Sequence, residues 1–328
     1  MRFGYFDRFQ RIFGRVKPIL ENRWIRLATQ IIIVSLSIFY LAWNYRDASE
    51  MLSQTTIDFR IVFGALFLTL VAVYLGAIGW GFTLLAFDPN AVWKDSIRTH
   101  LQSNLAKYIP GYAWQLIGKA YLTNKGGTPG LIVGIAMITE LTLLVLLGLG
   151  LSLTFIPRDL VTQWLGFVHQ LGFLSIRLIG LTLIIAVPFI MILIINRAPR
   201  LPEGFKIHFH MLLLANLSIF IGWVLFGFSF WMIARAINPI PLADLPGFMF
   251  TLAASVIIGL AIVIVPGSIG VRESIMVYFL SSLSILSPIA VMIAIISRII
   301  VTISEITGYL IFQFTIFSRG NNKIARKS

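Results

Sequence analysis

Cysteine is absent from all 328 residues, which excludes a disulfide framework, a thiolate metal site and a cysteine nucleophile. Charge is scarce as well: only 12% of residues are charged against 58% hydrophobic, and the mean hydropathy is strongly positive. A water-soluble domain carries about twice that charge, so the composition is that of a polytopic membrane protein. No Walker-type phosphate loop occurs, because the stretch from Gly111 to Gly118-Lys119 has six residues between its glycines where the motif requires four. His208 and His210 form an H-x-H, but i and i+2 point to different helix faces and no carboxylate cluster accompanies them, so no metal is expected. No Ser-His-Asp spacing is discernible either. The sequence therefore predicts a protein that is not an enzyme and needs no cofactor.

What is present is length. Apolar runs sufficient to cross hydrocarbon, about 20 residues each, lie near 27–45, 61–87, 131–156, 176–195, 211–236 and 288–317. Two further stretches, 97–123 and 247–286, are broken by Pro110-Gly111 and Pro266-Gly267. Proline removes a donor and glycine tolerates almost any backbone conformation, and irregular backbone survives at membrane depth only beside protein or a water-filled cavity. These stretches read as re-entrant helical hairpins, with kinked crossings as the alternative. The fold class expected is all-α, about six transmembrane helices plus two hairpins. Units at 61–156 and 211–317 each read span, hairpin, span in opposite orientation, as in the inverted repeats of secondary transporters.

Basic residues set the orientation, because Lys and Arg concentrate in cytoplasmic loops. Residues 1–26 carry seven arginines and lysines, among them Arg2, Arg8 and Lys17, and 319–328 carry Arg319, Lys323, Arg326 and Lys327. Both termini are expected to be cytoplasmic, in the inner membrane of a prokaryote, flanking one membrane domain over 27–318. Phe6, Phe9, Phe13 and Val16 recur at helical spacing among arginines, which predicts an interfacial amphipathic helix held by anionic lipid rather than a cleaved signal peptide. The net charge of +13 is then a signal of topology and lipid attraction, and no nucleic acid is expected as partner.

Ionisable residues inside spans are costly, by about 2.5–3.5 kcal/mol on insertion scales, and mark the bundle interior. Glu140 lies in 131–156, and Arg298 and Glu305 lie in 288–317, at comparable depths in equivalent spans. Arg298, Thr302, Glu305 and Tyr309 share one helix face, with Glu140 the expected partner of Arg298. A structural ion pair and a direct transport role both remain open at this level.

These residues, taken in order, resemble the transmembrane region of lysylphosphatidylglycerol synthetases and the flippase-like membrane proteins related to it, over roughly 60–318. The family's Asn-x-x-Lys-Tyr-x-Pro-Gly pattern followed by Trp is matched by Asn104, Lys107, Tyr108, Pro110, Gly111 and Trp114. Its membrane Glu is matched by Glu140, with Leu141 where an Arg commonly follows. Pro266, Gly267, Ser268, Gly270 and Glu273 match its second Pro-Gly pattern, Ser268 replacing a glycine, and Arg298 matches its late Arg. The resemblance implies a stand-alone member, without the aminoacyl-transfer domain, that moves a phospholipid or lipid-linked sugar between leaflets. The alternative is a non-transporting subunit or scaffold of a partner synthase. Freed N–H groups near Gly267–Gly270 beside Arg272, and Lys107 with Tyr108, would suit a phosphate. Glu273 would pair with a basic residue or a cationic headgroup.

Overall fold

The computed structural model describes residues 56–108, 114–164, 172–196, 207–261 and 270–325. The expected spans and segments at 1–26 and 27–45 lie outside these residues, as do Pro110, Gly111, Pro266, Gly267 and Ser268. Among the described residues the secondary structure is helical. In chain order the helices are α1 (Phe59–Phe87), α2 (Trp93–Leu105) continued by a 3-10 turn (Ala106–Tyr108), α3 (Trp114–Lys125), α4 (Gly130–Phe155), α5 (Arg158–Trp164), α6 (Phe173–Asn196), α7 (Phe209–Ile237), α8 (Leu245–Ala261), α9 (Val271–Ser282) and α10 (Ser287–Ala325).

Six stretches are long and apolar enough to cross a membrane: Phe59–Phe87, Gly130–Phe155, Phe173–Met191, Phe209–Ile237, Leu242–Ala261 and Ser287–Thr315. Five coincide with spans expected from hydropathy. The other, α8 with the turn before it, was expected as half of a hairpin, yet by length and composition it suffices for a full crossing. Helices α2 and α3 are different. Lys94, Asp95, Arg98 and His100 on α2 make it too polar to face lipid along its length.

The centre of the molecule is the pair α1 and α7, 29 residues each and antiparallel over their full length. Asp58 N donates to Ala236 O at one end (3.0 Å) and His208 N to Ala86 O at the other (2.9 Å). Between them Ser229 Oγ donates to Ala65 O and Ser218 Oγ to Leu75 O, each at 2.8 Å, in a constant register. Such bonds are worth about 0.6 kcal/mol each inside membrane bundles. Small residues permit the approach, since a Cβ at Gly79 would lie 2.7 Å from Ile219. Asp58 caps α1 by accepting from Arg60 N (2.9 Å).

The remaining contacts fall into matched sets. Helix α1 packs on α2 and α7 on α8; α2 packs on α3 and α8 on α9; α3 packs on α4 and α9 on α10. Across the centre, α10 packs on α2 and α4 on α8, while α4 and α10 each touch both α1 and α7. Helix α6 sits outside this arrangement against α4 and α7. One apolar core surrounds Trp80, Leu143, Leu147 and Leu212; another surrounds Phe230, Phe248, Met276 and Ile293.

Candidate functional site

Helix α2 and its 3-10 continuation carry Asn104 four residues after His100, and Lys107 and Tyr108 three and four residues after Asn104, which sets them along one stripe. The stripe divides between two polar clusters.

The first cluster joins α2, α3 and α4. Lys119 Nζ donates to Glu140 Oε2 at 2.5 Å and lies 4.1 Å above the centre of the Trp80 ring. His100 Nδ1 approaches Glu140 Oε1 to 3.1 Å, although its N–H is not aligned with that oxygen. Asn104 Nδ2 meets His100 Nε2 at 3.1 Å, and Gln115 Nε2 donates to Asn104 Oδ1 at 2.6 Å. Lys119 is 4% exposed, a degree of burial that an ammonium tolerates only with a partner.

The second cluster joins the end of α2 to α9 and α10. Lys107 is ion-paired with Glu305 Oε1, and Tyr108 OH donates to Glu305 Oε2 at 2.7 Å with Thr302 Oγ1 3.1 Å away. Lys107 and Arg298 both lie over the Tyr108 ring, 5.3 and 5.7 Å from its centre. Arg298 Nη1 is 3.6 Å from Glu273 Oε1. The other Glu273 oxygen accepts from Gly270 N at 2.8 Å and so caps the start of α9. Gly270 has φ +83°, a conformation that glycine adopts without strain.

Arg272 completes this second cluster without a carboxylate of its own. It is near enough to Glu273, Arg298, Glu305 and Lys107 to interact electrostatically with each, most strongly among these with the adjacent Glu273. Among the described residues it forms no ion pair, and its buried Nε has no hydrogen-bond partner. The undescribed segments 109–113 and 262–269 contain no acidic residue. Three cations, Lys107, Arg272 and Arg298, thus face two carboxylates, Glu273 and Glu305. The cluster carries a net charge of +1.

Of the residues expected from sequence, Lys107, Tyr108, Arg272, Glu273, Arg298 and Glu305 meet here. Asn104 and Glu140 belong to the first cluster, Gly270 is the cap of α9, and Trp114 stands half-exposed at the start of α3. The expected Glu140–Arg298 pair is corrected. Glu140 bonds Lys119 and lies 3.1 Å from His100 Nδ1, while Arg298 faces Glu273. The reason is geometric: α4 and α10 each pack on α1 and α7, so each span meets the short helix beside it instead of the other span. His100, Gln115 and Lys119 were missed as members. Their signal was the three- and four-residue spacing of His100, Asn104 and Lys107 and of Gln115 and Lys119.

A search of curated proteins matches none. The family described as lysylphosphatidylglycerol synthase TM region matches residues 27–306.

Proposed function

Because the chain belongs to the family of the lysylphosphatidylglycerol synthase TM region, an integral membrane family tied to membrane lipids, we propose that it moves an anionic lipid headgroup between leaflets. The observation that carries this reading is Arg272, a half-buried arginine that forms no ion pair among the described residues and whose buried Nε has no hydrogen-bond partner, in a cluster of net positive charge. A lipid phosphate supplies the missing charge and accepts from the free Nε. Without a guest the buried Nε of that guanidinium stays unsatisfied, at a cost of about 1–3 kcal/mol.

Alternating access would come from two inverted repeats, α1–α4 and α7–α10, rocking about the α1–α7 pair. Support lies in the antiparallel register of that pair and in the matching of every contact in one set by its counterpart in the other. The two Pro-Gly steps would form opposing re-entrant turns near the headgroup, with both termini cytoplasmic in a prokaryotic inner membrane. Outward movement of a net anionic lipid from an interior-negative cell is favoured by about 2.3 kcal/mol per charge per 100 mV, so no nucleotide need be consumed.

The test is reconstitution. Liposomes containing the protein should exchange fluorescent phosphatidylglycerol between leaflets at a rate that Arg272→Gln lowers tenfold or more, with unchanged detergent stability. Wild-type liposomes that move no phospholipid and no lipid-linked sugar would turn the reading to a non-transporting subunit of a lipid-modifying synthase.

A further inference from the structure

The hydrogen bonds around His100 determine where its protons sit. Gln115 Nε2 donates to Asn104 Oδ1 (2.6 Å), so the Asn104 NH2 is the group that faces His100. With the amides in this orientation His100 Nε2 is the acceptor and the ring proton is on Nδ1, the nitrogen 3.1 Å from the Glu140 carboxylate, without an aligned hydrogen bond to it. Lys119 and Glu140 cancel in charge, so with a neutral imidazole the cluster carries no net charge.

A second arrangement satisfies the same atoms. A proton taken from water onto Nε2 would set two donors against each other. Rotating the Asn104 amide by half a turn then presents Oδ1 to Nε2–H, and Asn104 Nδ2 to Gln115. Gln115 rotates likewise and accepts through Oε1. No covalent bond other than the new N–H changes, and each side chain makes as many hydrogen bonds after as before. The ladder has two complete states that differ by one proton, and it runs from His100, 9% exposed, to half-buried Gln115.

The surroundings place that charge where it matters. From α3 comes Lys119 and from α4 Glu140; from α10 come Glu305, close enough to interact electrostatically, and Tyr309, whose hydroxyl accepts from Gln313 (2.7 Å). Helix α1 presents Gly76, where an added Cβ would lie 3.7 Å from His100 Nε2, and Trp80; its ionisable groups are Arg60 at its start and Tyr74, which donates to Gly308 O (2.8 Å). Lys107 follows Asn104 by one turn on the same stripe.

We infer that His100, with Asn104 and Gln115 as a reversible amide ladder, is a proton-binding site, and that a proton there and an anionic headgroup beside Arg272 strengthen each other's binding. A positive charge on the stripe attracts the anion, and linkage makes the effect reciprocal. The coupling rests on the translocase reading; the proton site does not.

Histidine-labelled protein in phosphatidylcholine nanodiscs, observed by nitrogen NMR with His100→Gln to identify the resonance, tests the site. The expected result is the Nδ1–H tautomer at neutral pH and a fully protonated ring on acidification. Asn104→Asp, which can only accept, should raise the midpoint by about one pH unit or more, and Asn104→Leu, which cannot accept, should lower it by a similar amount, each tenfold in proton affinity. An Nε2–H tautomer, a ring still neutral at about pH 4, or variants that move the midpoint the same way would overturn the site. In liposomes, phosphatidylglycerol should move faster along an imposed proton gradient than against it. Equal rates under both signs overturn the coupling and leave translocation standing. No lipid movement, with His100 titrating as described, sinks the translocase reading and leaves the proton site.

Discussion

Lys119 and Glu140 form an ion pair between α3 and α4, and Glu273 and Arg298 form one between α9 and α10 with the signs exchanged: the cation is on the short helix in the first and on the long span in the second. Each pair ties a span to the short helix before it. Glu140 is the eleventh residue of α4 and Arg298 the twelfth of α10, so the pairs occupy corresponding places.

Removing one partner of the first pair should be costly because the other is then stranded. Lys119→Met or Glu140→Gln alone should destabilise the protein by roughly 3–5 kcal/mol in detergent unfolding, whereas the double variant should lose much less than the sum. A charge swap at Lys119 and Glu140 should outperform either reversal alone, and a swap of Glu140 with Arg298 should not. Additive losses at Lys119 and Glu140 would contradict the pairing.

The α4–α6 contact makes a sharper test of packing. A Cβ at Gly180 would lie 2.6 Å from Gly150 O, Thr154 N and Thr154 Oγ1, largely backbone that has no room to yield. Gly180→Ala should therefore cost about 1–3 kcal/mol by overpacking. Gly134, also helical, has nothing within 4 Å of its would-be Cβ. There the same change should be neutral or stabilise by about 0.5–1 kcal/mol, as Ala does over Gly in a helix. Equal effects at the two sites in thermal unfolding would argue against the close approach.

Topology is accessible because the chain has no cysteine to label in the background. Asn124 donates to Thr128 O, and Thr128 bonds Asp88, the cap that ends α1; Asp244 lies just after the end of α7, which meets the start of α1 where Asp58 N donates to Ala236 O. Single cysteines at Asn124 and Asp244 should thus react with impermeant reagent from opposite sides of sealed cells. Labelling of both from one side would be incompatible with α1 and α7 as crossing helices.

The contrast between what was readable and what was not has a physical basis. Apolar length is a local property, so spans such as 61–87 and 211–236 were found within a few residues. Depth was also readable, because Glu140 and Arg298 stand at matching positions in their helices. Partner identity was not, because it depends on which face of α4 meets which neighbour, and that is decided by packing around α1 and α7. In the stretch 247–286 length alone does not decide between a hairpin and a crossing: Leu242–Ala261 is long and apolar enough to cross, and Pro266-Gly267 lies outside the described residues.

Glu305 offers the most direct control over the proposed headgroup site. It accepts from both Lys107 and Tyr108, and with Glu273 it holds the cluster of three cations at a net +1. Glu305→Gln keeps an acceptor for Lys107 and a partner for Tyr108 while raising the net charge to +2. An extra unit of attraction at about 7 Å and an effective dielectric near 20 is worth about 2 kcal/mol, or roughly thirtyfold in binding. A translocase must also release its cargo, so tighter holding slows turnover. Native mass spectrometry should find more phosphatidylglycerol retained by Glu305→Gln than by the wild type, and liposome exchange should be slower. Adding Lys107→Gln returns the cluster to +1 and should bring retention back toward the wild-type level. Retention that stays high in the double variant would mean that the net charge of this cluster does not set the affinity for the anionic lipid.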